Sequence, residues 1–233
     1  MSKKSTTFAV GMKILEIETS TDACSAAITE QGEVVVCNGE RLHQIQRVGG
    51  EHARALPVMV KTLLDRCGSV DAVAVSAGPG SYTGLRIGAS TAKGLAYGLN
   101  VPLLAVSTLQ SMAAQAAAHV QDAILCPMID ARRMEVYCAL YSANLQELSP
   151  VAAVIIDENS FQEQLAKGKV CFFGNGAAKC KEVLRSPNAI FIDDIVPDAA
   201  WMGQVDAKPV DVAYWTPFYL KEYEAKKSTG LKI

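Results

Sequence analysis

The sequence predicts an α/β fold in which mixed β-sheets are flanked by helices. Residues 14–38 read as three successive strands joined by tight turns, so the first sheet must contain antiparallel pairs. Residues 73–77 are a short apolar run that ends in a glycine-rich turn before a helix. From there on, short apolar runs alternate with helical stretches, which is the pattern of α/β proteins.

Composition and charge narrow the class of protein. The chain has 233 residues, 50% of them hydrophobic, and this is enough for one large domain or two of ordinary size. A formal net charge of −2 argues against a protein that binds nucleic acid unaided, because such proteins carry a basic face. Seven scattered cysteines without a C-x-x-C pair predict reduced core residues in a cytoplasmic protein. No segment resembles a signal peptide or a membrane span, and residues 1–11 are interpreted as an extension or tag.

The first predicted strand, residues 14–21, ends in an acid and three hydroxyl residues, Glu18, Thr19, Ser20 and Thr21. One interpretation is an exposed strand end followed by a turn. The other is a loop whose hydroxyls and N–H groups face a nucleotide phosphate, with Glu18 holding a metal or a water. Residues 24–28 and 33–38 follow as strands on either side of a predicted hairpin turn at residues 31–32.

Two helices are predicted at residues 51–67 and 85–99. The first has an apolar stripe with Pro57 inside it, which predicts that the helix starts nearer Ala55 or bends; the stripe contains Ala53, Leu56, Val60, Leu63, Leu64 and Cys67. The second is apolar or small on all sides, so we expect it to be buried against a sheet and also against a second partner.

The glycine-rich turn between the second predicted helix and the strand before it contains Gly78, Gly80 and Gly84. Ser81 and Thr83 are candidate N-caps for a helix that opens near Gly84, and a helix N-terminus favours anions. The spacing nevertheless fails the phosphate-loop, dinucleotide and nucleophile-elbow patterns. No two histidines are four residues apart, so a zinc-protease motif is absent from the sequence. We therefore predict no catalytic residue and interpret the turn mainly as a joint that aims the following helix.

The remaining pattern predicts a strand at 102–107, a helix from Thr108 to about His119, and a hairpin of strands 124–129 and 135–141. The hairpin tip, Asp130 to Arg133, predicts a surface ion-paired turn at Asp130 and Arg132. Strands at 151–156, 170–173 and 189–192 then alternate with helical stretches at 161–166 and 177–184. A soft boundary near 142–150 divides the chain into an N-terminal lobe, 12–145, and a smaller C-terminal lobe, 146–233.

Several motifs together resemble the bacterial TsaB (YeaZ) family: Ile-Glu-Thr-Ser-Thr at 17–21, Gly-Pro-Gly-Ser-Tyr-Thr-Gly-Leu-Arg-Ile-Gly at 78–88, Asp-Ala-Arg-Arg at 130–133, Gly-Asn-Gly at 174–176 and Pro-Phe-Tyr-Leu-Lys at 217–221. The resemblance implies the two-lobed actin, hexokinase and Hsp70-like (ASKHA) fold. It also implies a non-catalytic subunit that heterodimerises with TsaD and works with the ATPase TsaE. Together they form the threonylcarbamoyl group on adenosine 37 of tRNAs that read codons beginning with adenine.

The resemblance further implies that the two helices at 51–67 and 85–99 pair with the same helices of TsaD. The expected interface residues are His52, Leu56, Val60, Leu63, Arg86, Gly88, Ala89, Ala92 and Leu95. The same surface is expected to form a homodimer when TsaD is absent, and tRNA is expected to bind only through the complex.

The resemblance also bears on metal and cofactor. The histidine ligands of TsaD match Thr108 and Met112 here, so no metal is expected. Glu18 stands where the family usually has aspartate, so we expect only vestigial nucleotide loops at Glu18, Thr19, Ser20, Gly78, Gly80, Ser81 and Gly84. No cofactor is then expected in the isolated chain, with ATP or ADP at or near the TsaD interface.

The sequence leaves open two alternative functions and the role of the C-terminal tail. A stand-alone nucleotide hydrolase or kinase of the ASKHA fold would use Glu18 and Asp130 as its Mg²⁺ carboxylates. A glycoprotease-like peptidase is the third reading, and the missing nucleophile elbow and metal-ligand pair count against it. The lysine-containing tail 221–233 is interpreted as a solvated end, with a contribution to tRNA binding as the alternative.

Overall fold

Two mixed β-sheets form the framework of the protein, which a computed structural model describes over residues 11–220. The rest of the predicted extension and the predicted tail 221–233 lie outside the described residues. The predicted fold class, two α/β lobes with mixed sheets flanked by helices, is confirmed. In the part of the chain that is described, no helix has the length and apolar character needed to cross a membrane.

The first sheet runs in the order β14-β8-β7-β1-β2, with β3 and β6 both paired to the far side of β2. Strand β1 pairs antiparallel with β2 and parallel with β7, so the sheet is mixed as predicted. Its strands are β1 (Lys13–Glu18), β2 (Ala23–Glu30), β3 (Glu33–Val34), β6 (His43–Arg47), β7 (Ala72–Ser76), β8 (Leu103–Val106) and β14 (Ala207–Val210).

The third predicted strand, residues 33–38, is wrong as a single element. After β3 the chain leaves the sheet and forms a separate two-stranded hairpin of β4 (Val36–Cys37) and β5 (Glu40–Arg41). The chain returns at Leu42, which is fully buried and accepts a hydrogen bond from the Ile28 N–H at 2.8 Å. Strand β6, which the sequence did not predict, then takes the place beside β2.

The second sheet has the order β11-β10-β9-β12-β13, and its strands agree with the predicted ones except that β11 begins four residues earlier than predicted, at Glu147. They are β9 (Ile124–Asp130), β10 (Glu135–Tyr141), β11 (Glu147–Ile155), β12 (Val170–Phe173) and β13 (Ala189–Ile192). The predicted boundary at 145/146 does not coincide with the division between the sheets. Strands β9 and β10 pair with β11 and β12, and β14 returns to the first sheet, because hydrogen-bond partners and not chain order decide sheet membership.

The helices begin close to their predicted positions. They are α1 (His52–Cys67), α2 (Tyr82–Leu99), α3 (Thr108–Ala117) and α4 (Gln162–Lys167), with 3-10 helices at Ala178–Cys180 and Ala199–Gln204. The later start predicted for α1 is wrong, since the helix begins at His52 and continues through an exposed Pro57. Ala53 is exposed, and the buried stripe runs instead through His52 and Met59.

Helices α1 and α2 cover one face of the first sheet. Leu56 and Leu63 of α1 and Ala92 of α2 pack there against Ile17 and Val75 of the strands. The opposite face of this sheet is covered by the second 3-10 helix, through Ala199 and Met202. Helix α3 and helix α4 pack on opposite faces of the second sheet. The outer sides of α1 and α2 therefore remain at the surface.

Replacing the exposed Pro57 should stabilise helix α1. An alanine there supplies the N–H that proline lacks inside a helix, and we expect Pro57→Ala to raise the free energy of unfolding by about 1–3 kcal/mol. Urea denaturation followed by circular dichroism measures this value. An unchanged or lower free energy of unfolding would show that the ring of Pro57 stabilises the helix in another way.

Candidate functional site

The loop after β1 and the glycine-rich turn after β7 meet at one edge of the first sheet. Strands β1 and β7 are parallel neighbours, so the segments that follow their carboxyl ends are adjacent. The structure thereby brings together the residues that the sequence singled out as nucleotide loops. They are Glu18, Thr19 and Ser20 from the first loop and Gly78, Gly80, Ser81 and Gly84 from the turn.

These two segments are bonded to each other. The backbone N–H of Ser81 donates to the carbonyl oxygen of Ser20 at 2.6 Å. The Thr19 hydroxyl donates to the carbonyl oxygen of Gly84 at 2.9 Å. Thr19 and Ser20 are fully buried. The hydroxyl of Thr19 is thus used to fasten the first loop to the start of α2.

The glycines of the turn make this contact sterically feasible. A Cβ atom at Gly84 would lie 2.1 Å from the carbonyl oxygen of Thr19, and one at Gly80 would lie 2.4 Å from that of Ser20. One turn further along α2, a Cβ at Gly88 would lie 2.2 Å from the Thr19 hydroxyl oxygen. The space beside these glycines is filled by the protein's own first loop. This packing supports the interpretation of the turn as a joint and gives a steric reason for each glycine.

Helix α2 starts from this joint. Ser81 is its N-cap, and the Ser81 hydroxyl accepts a hydrogen bond from the Gly84 N–H at 3.3 Å. The prediction of Ser81 as a cap is confirmed. The predicted opening near Gly84 is wrong by two residues, since the helix begins at Tyr82 and Thr83 lies inside it.

The end of the described chain packs on the same joint. The Phe218 N–H donates to the carbonyl oxygen of Ala77 at 2.7 Å, and a Cβ at Gly78 would lie 2.8 Å from the Phe218 carbonyl oxygen. The ring centroids of Tyr219 and Tyr82 are 5.0 Å apart. Sequence reasoning missed this contact. The sequence offered the motif at 217–221, but this motif does not indicate which part of the chain it contacts.

Two buried carboxyl groups lie on the face of β1 away from α1 and α2. Burial raises the pKa of Glu16 to about 8, and its carboxyl group accepts a hydrogen bond from the Thr29 hydroxyl at 2.9 Å. Burial also raises the pKa of Glu18, whose carboxyl group accepts from the Ser20 N–H at 2.6 Å. The interpretation of Glu18 as part of an exposed strand end is wrong, because its side chain is fully buried.

The two carboxylates considered for Mg²⁺ binding are both bound to protein groups. Glu18 is held in the first loop, and Asp130 forms an ion pair with Lys179 at the β9–β10 hairpin. The predicted ion pair at Asp130 thus exists with a different partner, because Arg132 contributes only its backbone N–H, at 3.0 Å. Within residues 11–220, no three His, Cys, Asp or Glu side chains are grouped as metal ligands. Thr108 and Met112, which the resemblance was expected to match to the histidine ligands, are buried.

Most of the predicted interface residues face the sheet and are covered by the protein itself. Buried residues are His52, Leu56, Val60 and Leu63 of α1 and Gly88, Ala89 and Ala92 of α2. Arg86 is exposed and Leu95 is half-buried. A stripe of apolar and small residues shows that a helix face is covered, but it does not say whether the cover is a sheet or another protein.

The outer sides of the two helices carry a different set of residues. Val58 of α1 is 65% exposed and Tyr97 of α2 is 83% exposed. Ser90 and Gly94 lie exposed along α2, and a Cβ atom at Gly94 would meet no atom within 4 Å. The exposed outer surface of α1 and α2, which we call the outer helix face, is defined by Val58, Arg86, Ser90, Gly94 and Tyr97.

Alanine substitutions at two glycines of α2, Gly84 and Gly94, should change the free energy of unfolding in opposite directions. Gly84→Ala places a methyl group against the Thr19 carbonyl oxygen, and we expect it to lower the free energy of unfolding by about 3 kcal/mol. Gly94→Ala faces open space and should raise it by about 0.5–1 kcal/mol, because alanine favours the helix. Chemical denaturation of both variants measures the difference. Equal effects would contradict the steric role of Gly84.

The raised pKa of Glu16 predicts that the free energy of unfolding falls as the pH rises. Its pKa is about 8 in the folded protein and 4.5 ordinarily, so the folded state holds a proton that the unfolded state releases between these values. We expect the free energy of unfolding to decrease by roughly 4 kcal/mol at most between pH 4.5 and 8. Glu16→Gln should remove the part of the slope that comes from Glu16 and leave the part of the same sign that comes from Glu18, whereas Glu158→Gln at the surface should change neither. Denaturation at pH 5, 6.5 and 8 tests this, and parallel slopes for all three proteins would refute it.

Comparison with known proteins identifies the family. Residues 44–217 match the family model described as TsaD, tRNA N6-adenosine threonylcarbamoyltransferase. The tRNA threonylcarbamoyladenosine biosynthesis protein TsaB of Bacillus subtilis is 30% identical, over 94% of this chain and 92% of that protein. The TsaB of Escherichia coli is also 30% identical, over 93% of this chain and 97% of that protein.

A solved structure agrees with these relatives. YeaZ from Pseudomonas aeruginosa superposes with a TM-score of 0.72 and 28% sequence identity, over 90% of this chain and 100% of that one. A second structure from the same organism, of a protein similar to the peptidase YeaZ, gives a TM-score of 0.75 with the same identity and coverage. The glycine-rich joint, the two-sheet fold and the full-length similarity lead to one conclusion: the chain belongs to the TsaB (YeaZ) family of tRNA threonylcarbamoyladenosine biosynthesis proteins.

Proposed function

We propose that this protein is a non-catalytic subunit in the synthesis of threonylcarbamoyladenosine at position 37 of tRNAs that read codons beginning with adenine. It acts by heterodimerising with TsaD and works together with TsaE. One observation carries the proposal: the glycine-rich turn is packed against Thr19 and Ser20 of the same chain, while the helix that it aims has an exposed outer side. This packing supports a role for the turn in positioning a binding surface, and the relatives are named as tRNA threonylcarbamoyladenosine biosynthesis proteins.

The outer helix face suits a partner that presents helices. Gly94 and Gly98 have open space where a side chain would project, so the backbone of another helix can approach α2 closely. Tyr97, three residues from Gly94 on the same helix, supplies exposed apolar area beside this gap. Aromatic residues around a small-residue gap are favourable for a packed interface core. The interface that we propose thus uses the outer side of the predicted helices, with the buried predicted residues supporting it from below.

The same surface is proposed to pair two copies of this chain when TsaD is absent. A two-fold interface needs one patch that complements itself, and two helices with small residues at their centre satisfy this condition. Binding to TsaD would then exclude the homodimer, because both use the outer helix face. We place the protein in the cytoplasm, with tRNA bound through the complex.

The site supports a non-catalytic role for this chain. A nucleotide hydrolase or kinase would need a carboxylate directed at Mg²⁺, whereas Glu18 is buried and hydrogen-bonded to Ser20. A peptidase would need an exposed nucleophile beside a base, and Ser81 caps a helix instead. We therefore propose that the isolated chain holds no cofactor and that ATP or ADP lies at or near the interface with TsaD.

Surface substitutions on the outer helix face should prevent complex formation without unfolding the protein. Val58→Asp together with Ser90→Arg introduces two charges at exposed positions, and we expect loss of co-purification with TsaD, by at least about tenfold. Ile155→Asp, at an exposed position on the second sheet, is the control and should bind normally. Ala92 is unsuitable for this test, because it is fully buried.

Two further measurements decide between the proposal and its alternatives. The double variant should abolish threonylcarbamoyladenosine formation in a reconstituted reaction that contains TsaD and TsaE, whereas the control should retain it. Calorimetric titration of the isolated chain with ATP and Mg²⁺ should show no binding at micromolar concentrations. Tight binding and turnover by the isolated chain would support a hydrolase, and normal complex formation by the double variant would place the interface elsewhere.

A further inference from the structure

The tip of the β9–β10 hairpin carries two adjacent arginines in an unfavourable backbone conformation. Arg132 has φ 74° and Arg133 has φ 46°, so both lie in the left-handed region that side chains other than Gly, Asn and Asp seldom adopt. A glycine would fit either position without strain. Backbone strain of this kind is often found at functional sites, so a function of the two side chains is to be considered.

The base of the hairpin is firmly held. The Asp130 N–H donates to the Asn175 side-chain oxygen at 2.9 Å, and the ammonium group of Lys179 donates to the Glu135 carbonyl oxygen at 2.7 Å while it pairs with Asp130. Across the tip, the Glu135 N–H donates to the Arg132 carbonyl oxygen at 3.0 Å. The two arginines are thus presented on a fixed support.

Six of the fourteen other lysines and arginines among residues 11–220 form an ion pair, whereas Arg41, Lys167, Lys169 and Lys208 are exposed without one. Arg47, Arg54, Lys61, Arg66, Lys179 and Lys181 each pair with a carboxylate. Among residues 11–220, Arg132 and Arg133 are exposed and have no ion pair or side-chain hydrogen bond. Of the two carboxylates at the hairpin, Asp130 pairs with Lys179 and Glu135 begins β10. The tip therefore presents two adjacent guanidinium groups that form no ion pair with a described carboxylate.

We propose that Arg132 and Arg133 contact the phosphate backbone of RNA when this protein acts in its complex. The inference rests on the proposed function, which makes tRNA the substrate. Guanidinium groups bind phosphate through two parallel hydrogen bonds, and they do so without reading sequence. Since the formal net charge of the chain is −2, an RNA contact by this chain has to be local, and this pair offers two adjacent guanidinium groups at one exposed tip.

Two substitutions separate the RNA contact from any structural role. In the complex with TsaD, Arg132→Gly together with Arg133→Gly should weaken binding of a tRNA transcript about tenfold near physiological salt and reduce the slope of log affinity against log salt by about 1–2. The same change relieves backbone strain, so the melting temperature of the variant should rise by about 2–5 °C. The control, Lys181→Ala with Arg185→Ala, removes the same charge from the same lobe and should leave tRNA affinity within about twofold.

Each outcome of this experiment decides something. Equal tRNA affinity and salt slope for the wild type and the arginine variant would overturn the inference, as would an equal loss in the lysine–arginine control. Loss of TsaD binding by the arginine variant would assign the hairpin to a protein interface instead. If the wild-type complex does not form, the proposed function fails separately. Crosslinking of the full-length chain to the transcript at low salt then tests Arg132 and Arg133 alone.

Discussion

The structure depends on the backbone contact between the first loop and the start of helix α2. Thr19 and Ser20 lie so close to the helix that only glycine fits at Gly80, Gly84 and Gly88. The contact combines a main-chain hydrogen bond from Ser81 to Ser20 with one from the Thr19 hydroxyl to Gly84, and together they fix the start of α2. The outer side of α2 is presented by this contact.

The carboxyl groups of Glu16 and Glu18, which lie near the joint, are buried at a cost in folding free energy. Glu16 and Glu18 are buried on one face of β1, and burial raises the pKa of both carboxyl groups. A carboxyl group that stays protonated avoids most of the penalty of burying a charge. One oxygen of each group has no hydrogen-bond partner among the described residues. The face of the first sheet that carries Glu16 and Glu18 is therefore more sensitive to pH than the apolar opposite face, which packs on α1 and α2.

The two surfaces assigned here lie on different sheets and have different chemistry. The outer helix face has two small residues, Ser90 and Gly94, between Arg86 and Tyr97, and this suits close packing of helices. The β9–β10 hairpin tip is cationic and strained, and this suits an anionic ligand. Under the proposed function, the first surface would serve as the interface with TsaD and the second as a substrate contact.

The sequence alone determined the order of most elements, the mixed character of the first sheet and the location of the joint, because strand periodicity and glycine turns are local signals. It also identified Ser81 as a helix cap. Tertiary structure decided what local patterns leave open. The stripe that contains Leu56 and Ala92 could meet either a sheet or a partner, and the fold placed it on the sheet. The burial of Glu18, the pairing of Asp130 with Lys179 and the return of β14 to the first sheet all join residues distant in sequence, and such contacts follow from the fold and not from composition or spacing.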